Sequence, residues 1–170
     1  MNVKTILLPV DLAACPLEGF WFVNQFASEA SPAVILLHVL KLNIVAHENR
    51  FYAGIAQEAE EQLTWIKHKF LSPRLDSRVC VRAGKPAPEI VTEAAESRAD
   101  LIVMTNHVNR YRPRLFQSGI MSAVASTAPC PVRVLRVVTW LDCPRQPALR
   151  PGIMDGLDAA PPSWAPGLGN

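Results

Sequence analysis

Arg110, Arg112 and Arg114 set three cations within five residues, with Tyr111 and Pro113 between them. Guanidinium groups grip phosphates and carboxylates through paired hydrogen bonds. The polar stretch 105–114 is therefore where this chain could hold an anion by its side chains. It could equally meet an acidic partner protein or stand as a solvated basic loop, and a short basic run alone does not separate these. His107 lies in the same stretch. Nucleophilic catalysis needs a Ser or Cys beside such a base, and none stands at a recognisable spacing, so His107 reads as a surface or capping group. Asp11 closes an apolar run, where its carboxylate can cap the helix that follows. Cys15, Cys80, Cys130 and Cys143 form no C-x-x-C pair and have no histidine at zinc spacing. They read as free thiols, with no metal site expected. Glu58, Glu60 and Glu61 fall on the wet side of a helical pattern. The chain shows no nucleophile elbow, metal set or P-loop lysine, so no catalytic activity is expected.

The scaffold for these residues is legible in the hydrophobic pattern. Residues 5–10, 34–40 and 101–104 are short apolar runs, too brief for helices, and read as buried strands. Residues 77–83 alternate Arg78, Cys80 and Arg82 with Val79, Val81 and Ala83, which suits a strand with one more polar face near a sheet edge. Val132, Val134, Leu135, Val137 and Val138 make residues 132–138 the last strand. Between them lie helical stripes. Phe20, Val23, Ala27 and Ala30 form one, ended at Ser31-Pro32. Ile55, Ala59, Leu63, Ile66 and Phe70 form the second; Ile90, Val91, Ala94 and Ala95 the third; Phe116, Ile120 and Val124 the fourth. Pro86 and Pro88 suit a first helical turn, and Glu89 there favours the helix dipole. His38 is expected within the sheet.

Five strands alternating with four helices predict an α/β domain, a mostly parallel sheet with helices on both faces. In such sheets ligands bind beyond the carboxyl ends of the strands, which points again to 105–114. The chain has 170 residues, 17 basic and 15 acidic, a net charge of +2. That balance gives no electrostatic reason to expect nucleic acid. No apolar run is long enough to span a bilayer, and no signal peptide is seen near the start, so a cytoplasmic protein is expected. Residues 1–140 are expected to form the domain. Residues 141–170 hold six of the 15 prolines and four of the eight glycines, a composition that predicts a disordered tail. A short docking peptide around Trp164 is the alternative.

Three stretches resemble the universal stress protein family: K-T-I-L-L-P-V-D at the start, A-D-L-I-V-M before the polar stretch, and A-P-C-P-V after the last helix. The resemblance runs over about residues 3–138, in the family's order. It implies the strand order 3-2-1-4-5 of an adenine-nucleotide alpha hydrolase-like fold. It also implies a homodimer joined through residues 132–138, a role in the stress response, and an ATP or AMP site in the crevice. By that resemblance Asp11 takes the place of an acidic group near adenine and ribose, and Val39 that of a valine lining the adenine pocket. Each has a plain alternative, a helix cap for Asp11 and strand core for Val39. His107 matches a frequent family histidine.

The family's phosphate pattern is a glycine, two residues, a second glycine, nine residues, then a third glycine followed by Ser or Thr. Counted back from A-P-C-P-V, those positions hold Thr105, Val108 and Ser118, with Gly119 where the hydroxyl belongs. Glycines let backbone approach phosphates and leave N–H groups to cradle them. A β-branched residue such as Val108 disfavours the needed backbone and adds bulk. The chain is therefore expected to be a regulatory or binding module with no obligatory ATP. The alternative is a nucleotide-binding sensor, with Arg110 and its neighbours holding phosphate in place of the missing glycines.

Overall fold

The computed structural model describes residues 3–12, 17–41, 49–107 and 117–137. At 17, 27–30, 49–52, 106–107, 117–118 and 136–137 the description is of backbone alone. The expectations placed on Cys15, Val108, Arg110, Tyr111, Arg112, Arg114, Phe116, Cys143, Trp164 and the 141–170 tail lie outside the described residues.

The elements run β1 (Thr5–Pro9), α1 (Leu17–Ala30), β2 (Ala33–Leu40), α2 (Asn49–Phe70), β3 (Ser77–Ala83), α3 (Pro86–Glu96), β4 (Leu101–His107), α4 (Gln117–Thr127) and β5 (Val132–Val137). They build a five-stranded sheet of order β3-β2-β1-β4-β5, with every neighbouring pair parallel. This is the expected architecture, made wholly parallel. Leu7 pairs with Ile35 on one side and Ile102 on the other, so β1 is central and apolar on both faces.

Alternation along the strands feeds two cores. On one face Ile6, Leu8, Val34, Leu36 and Val103 meet Phe20 and Val23 of α1 and Leu63 and Ile66 of α2. On the other, Leu7, Ile35, Leu37, Ile102 and Met104 meet Ile90 and Ala94 of α3 and Val124 of α4. Buried side chains of this size contribute about 1.5–3 kcal/mol each. They supply most of what holds the layers together. Ser31, at φ 42°, turns the chain out of α1 before Pro32. Its left-handed backbone ends the helix where the sequence placed the break.

Three details differ from the sequence reading. Ile55 is 38% exposed, because it lies one turn before the part of α2 that reaches the sheet. Ala95 is exposed and Glu93 is buried in its place. Most relevant to the site, β4 does not stop at Met104. It continues through Thr105, Asn106 and His107, paired with Leu135, Arg136 and Val137 of β5. The backbone of three polar residues is held by the ladder of its neighbour, which overrides their weak strand pattern.

Candidate functional site

The strand order reverses around β1, whose neighbours are β2 and β4. The chain leaves β1 for α1 and one side of the sheet, and later crosses to β4 on the other side. At such a switch point the two connections part and leave a crevice beyond the carboxyl ends of the strands.

The exit from β1 is firmly set. Val10 donates its N–H to the Leu37 carbonyl at 2.7 Å. The Val10 carbonyl accepts from Nδ1 of His38 at 2.8 Å. That bond assigns the ring proton to Nδ1, since a carbonyl can only accept. His38 thus sits within the sheet as expected, and what it positions is the backbone just before Asp11. Asp11 itself is exposed at the mouth. Val39 is half-buried on the α3–α4 side, against the cluster containing Leu37, Met104 and Ala87. It therefore has a core role there.

Thr105 lies on β4, opposite Leu135. The first turn of α1 comes close to it. A Cβ built on Gly19 would stand 3.0 Å from Leu8 Cδ1 and 3.2 Å from Thr105 Cγ2. Gly19 thereby lets α1 settle onto the ends of β1 and β4. His107 is the last residue of β4, and Ser118 and Gly119 stand in the first turn of α4. Among the described residues a Cβ at Gly119 would meet no atom outside its own helix within 4 Å, so packing does not require glycine there. Asp11, Val39, His107, Ser118 and Gly119 thus gather at one end of the sheet. Arg110 lies outside the described residues. Among the described residues no group of three or more His, Cys, Asp or Glu could hold a metal ion.

A charged cluster that the sequence did not reveal borders this end on the β3 side. Arg82, in register with Val39, donates from Nε to Glu89 at 2.8 Å. Its Nη1 reaches Glu93 at 3.0 Å and Glu96 at 2.7 Å. Arg78 donates to the other Glu93 oxygen at 2.8 Å. Burial pushes the Glu93 carboxyl up, but the hydrogen bonds from Arg78 and Arg82 outweigh it and hold the group below the usual carboxylate value. Hydrogen bonds to Glu89 and Glu96, then Glu93, hold the Arg82 guanidinium well above its ordinary value. Burial and the Glu93 charge push the Cys80 thiol up, so Cys80 is a poor nucleophile. Glu89, Glu93 and Glu96 recur at helical spacing opposite an alternating Arg78–Cys80–Arg82 strand. That match of two periods is the signal that could have found the cluster.

The Universal stress protein family model matches residues 2–136. The chain belongs to the universal stress protein family. No curated protein matches it, but solved structures share its fold. Hypothetical protein MJ0577 is 23% identical with a TM-score of 0.70, covering 82% of this chain and 100% of that one. The universal stress protein UspA from Lactobacillus plantarum is 22% identical with a TM-score of 0.60, covering 80% and 99%. A family protein from Arabidopsis thaliana, solved with AMP bound, is 14% identical with a TM-score of 0.55, covering 80% and 93%. Among the described residues of this chain no helix is long and apolar enough to cross a membrane.

Proposed function

We propose that this universal stress protein is a cytoplasmic, non-catalytic regulatory module, dimeric through β5, that acts without obligatory ATP. The observation that carries the reading is β4. The family's first phosphate glycine falls at Thr105, and here that residue is strand backbone in register with Leu135. Its φ is not among the positive values, which among the described residues occur at Ser31, Arg98 and Gly84. Backbone held extended against β5 at this position disfavours the glycine turn with which the family cradles phosphates. Asp11 and Val39 stand where the resemblance places the adenosine contacts, which supports a residual nucleoside subsite in the crevice. Regulation then comes from a protein partner, with any nucleotide as a weak modulator.

Assembly follows from the edge. β5 ends the sheet, and Val134 is 37% exposed on it. An exposed apolar edge strand pairs readily with another chain, and antiparallel pairing of two copies gives the closed two-fold symmetry common in dimers.

A second reading, an AMP- or ATP-binding sensor, is favoured by the AMP-bound relative of the same fold. Mass spectrometry of small molecules released from freshly purified protein separates the two. No stoichiometric nucleotide is expected. One ATP per chain would overturn the first reading in favour of the second.

A further inference from the structure

The Val10 carbonyl stands where β1 leaves the sheet. The β1–β2 register ends at Pro9 opposite Leu37, and Val10 adds a further rung through its N–H to the Leu37 carbonyl at 2.7 Å. Its own carbonyl accepts from His38 Nδ1 at 2.8 Å, a side-chain bond from β2 to the exit of β1. Packing alone does not ask for a histidine there. His38 is half-buried, in register with Val81, which packs on the cluster containing Val10, and a leucine would continue that cluster. What the ring supplies is direction. The Val10–Asp11 peptide is planar and trans, so holding its carbonyl toward the ring turns the Asp11 N–H to the opposite side and sets where the Asp11 Cα lies. Val39 is the next residue after His38, held in register with Arg82 of β3. His38 thus serves both positions: its backbone carries Val39, and its side chain fixes the peptide that carries Asp11.

We infer that His38 is the positioning residue of the crevice: its bond to Val10 sets the separation of Asp11 from Val39, and with it the fit of a nucleoside across the two; this rests on the nucleoside subsite proposed above. A ligand bridging these residues needs a hydroxyl-bearing part for the Asp11 carboxylate and a flat, apolar part for Val39. Both contacts form together only at one separation. A charged hydrogen bond weakens steeply as its distance and angle drift, and a ligand held at both ends gains from groups already in place. Released from His38, the Val10–Asp11 peptide can turn about the bonds on either side of it, and the Asp11 carboxylate turns with it. Val39 stays where β3 holds it. Affinity then falls through the Asp11 contact. His38 need touch no ligand in this role; it acts through Asp11.

An affinity cycle tests this, with adenosine as the probe and NMR titration of the ligand-free protein as the readout. His38→Leu keeps the bulk and removes the donor. It is expected to weaken adenosine binding about tenfold, as Asp11→Ala does. His38→Asn places a side-chain N–H where Nδ1 stands, and is expected to bind within about twofold of the parent. In an Asp11→Ala background His38→Leu should cost nothing further, because the group it positions is gone. A merely structural role predicts otherwise: the loss would recur in that background, and such additive losses overturn the inference. Adenosine binding that is unchanged in His38→Leu, or no better in His38→Asn than in His38→Leu, overturns it as well. In each of these cases a loss on Asp11→Ala leaves the subsite reading standing. If the parent binds no adenosine, or Asp11→Ala is without effect, the subsite reading falls and the positioning role with it. Circular dichroism checks that each variant is folded. Should His38→Leu fail to fold, His38→Gln replaces it, since its amide N–H lies one bond farther out, near the place of Nε2. Weaker binding in His38→Gln than in His38→Asn is then required, and equal affinities overturn the role.

Discussion

Arg82 donates from Nη1 to Glu93 at 3.0 Å, a contact that joins the edge strand β3 to the helix covering it. Glu93 is 4% exposed, and Arg78 engages its other oxygen. Glu93→Gln keeps the volume but turns one amide donor toward a guanidinium. It is expected to cost about 2–3 kcal/mol, since a charged hydrogen bond is lost and a donor is left facing a cation. Arg78→Ala should cost under about 1 kcal/mol, because its side chain is 54% exposed and water replaces the lost partner. Urea unfolding near neutrality measures both.

The same carboxylate sets a pH dependence. Its pKa is held below the ordinary 4.5 in the folded chain. The native state therefore binds the proton less readily than the unfolded one. The resulting stability is fully present above 4.5 and is lost as pH falls through the lower folded value. The gap between the parent and Glu93→Gln should stay constant from neutrality into the mildly acid range, then shrink on further acidification. A gap that instead widened in acid would contradict the assignment.

Gly84 permits the cluster. Its φ of +149° is one that side chains rarely adopt, and a Cβ there would stand 2.7 Å from Glu89 Oε1. Gly84→Ala should cost about 2–3 kcal/mol, combining backbone strain with displacement of Glu89 from Arg82. In a Glu89→Ala background the clash is gone and only the strain remains, so the double variant should lose less than the sum of the two single losses. Thermal unfolding of the four proteins completes the cycle.

The fold was legible because apolar runs and helical stripes alternate so regularly that five strands and four helices could be placed, and Ser31-Pro32 marked a boundary. Thr105, Asn106 and His107 were read as loop because their strand state depends on β5, a partner distant in sequence. Glu93 was invisible for a similar reason. A glutamate on a helix reads as solvated until the arginines of a particular strand are known to lie beneath it. Of the crevice residues, Asp11 and Val39 could be placed at strand ends from pattern alone. Their roles toward a ligand came only with the family resemblance.

At the opposite end of the sheet, Asp100 Oδ2 accepts the N–H groups of Lys4 and Thr5 at 2.8 and 2.9 Å. This fastens the start of β1 to the start of β4. Asp100→Ala strands the part-buried Thr5 donor and should cost about 1–2 kcal/mol, whereas Asp100→Asn keeps an acceptor and should cost less. Hydrogen exchange at the Thr5 amide should quicken in Asp100→Ala.

The crevice makes the last prediction. If adenosine is recognised by Asp11 and Val39 and the phosphates are not cradled, affinity should depend little on phosphate number. Calorimetry on ligand-free protein should then give weak and similar binding for adenosine, AMP and ATP. Asp11→Ala should reduce all three alike, by about tenfold for one lost charged hydrogen bond. Arg110→Ala should leave them unchanged. A different pattern, ATP bound far more tightly than adenosine and lost on Arg110→Ala, would mean that arginine side chains have taken over the role of the missing glycines. Micromolar ATP binding that disappears with Asp11→Ala would instead return the crevice to ordinary nucleotide use, with Thr105 in the β4 ladder no obstacle to it.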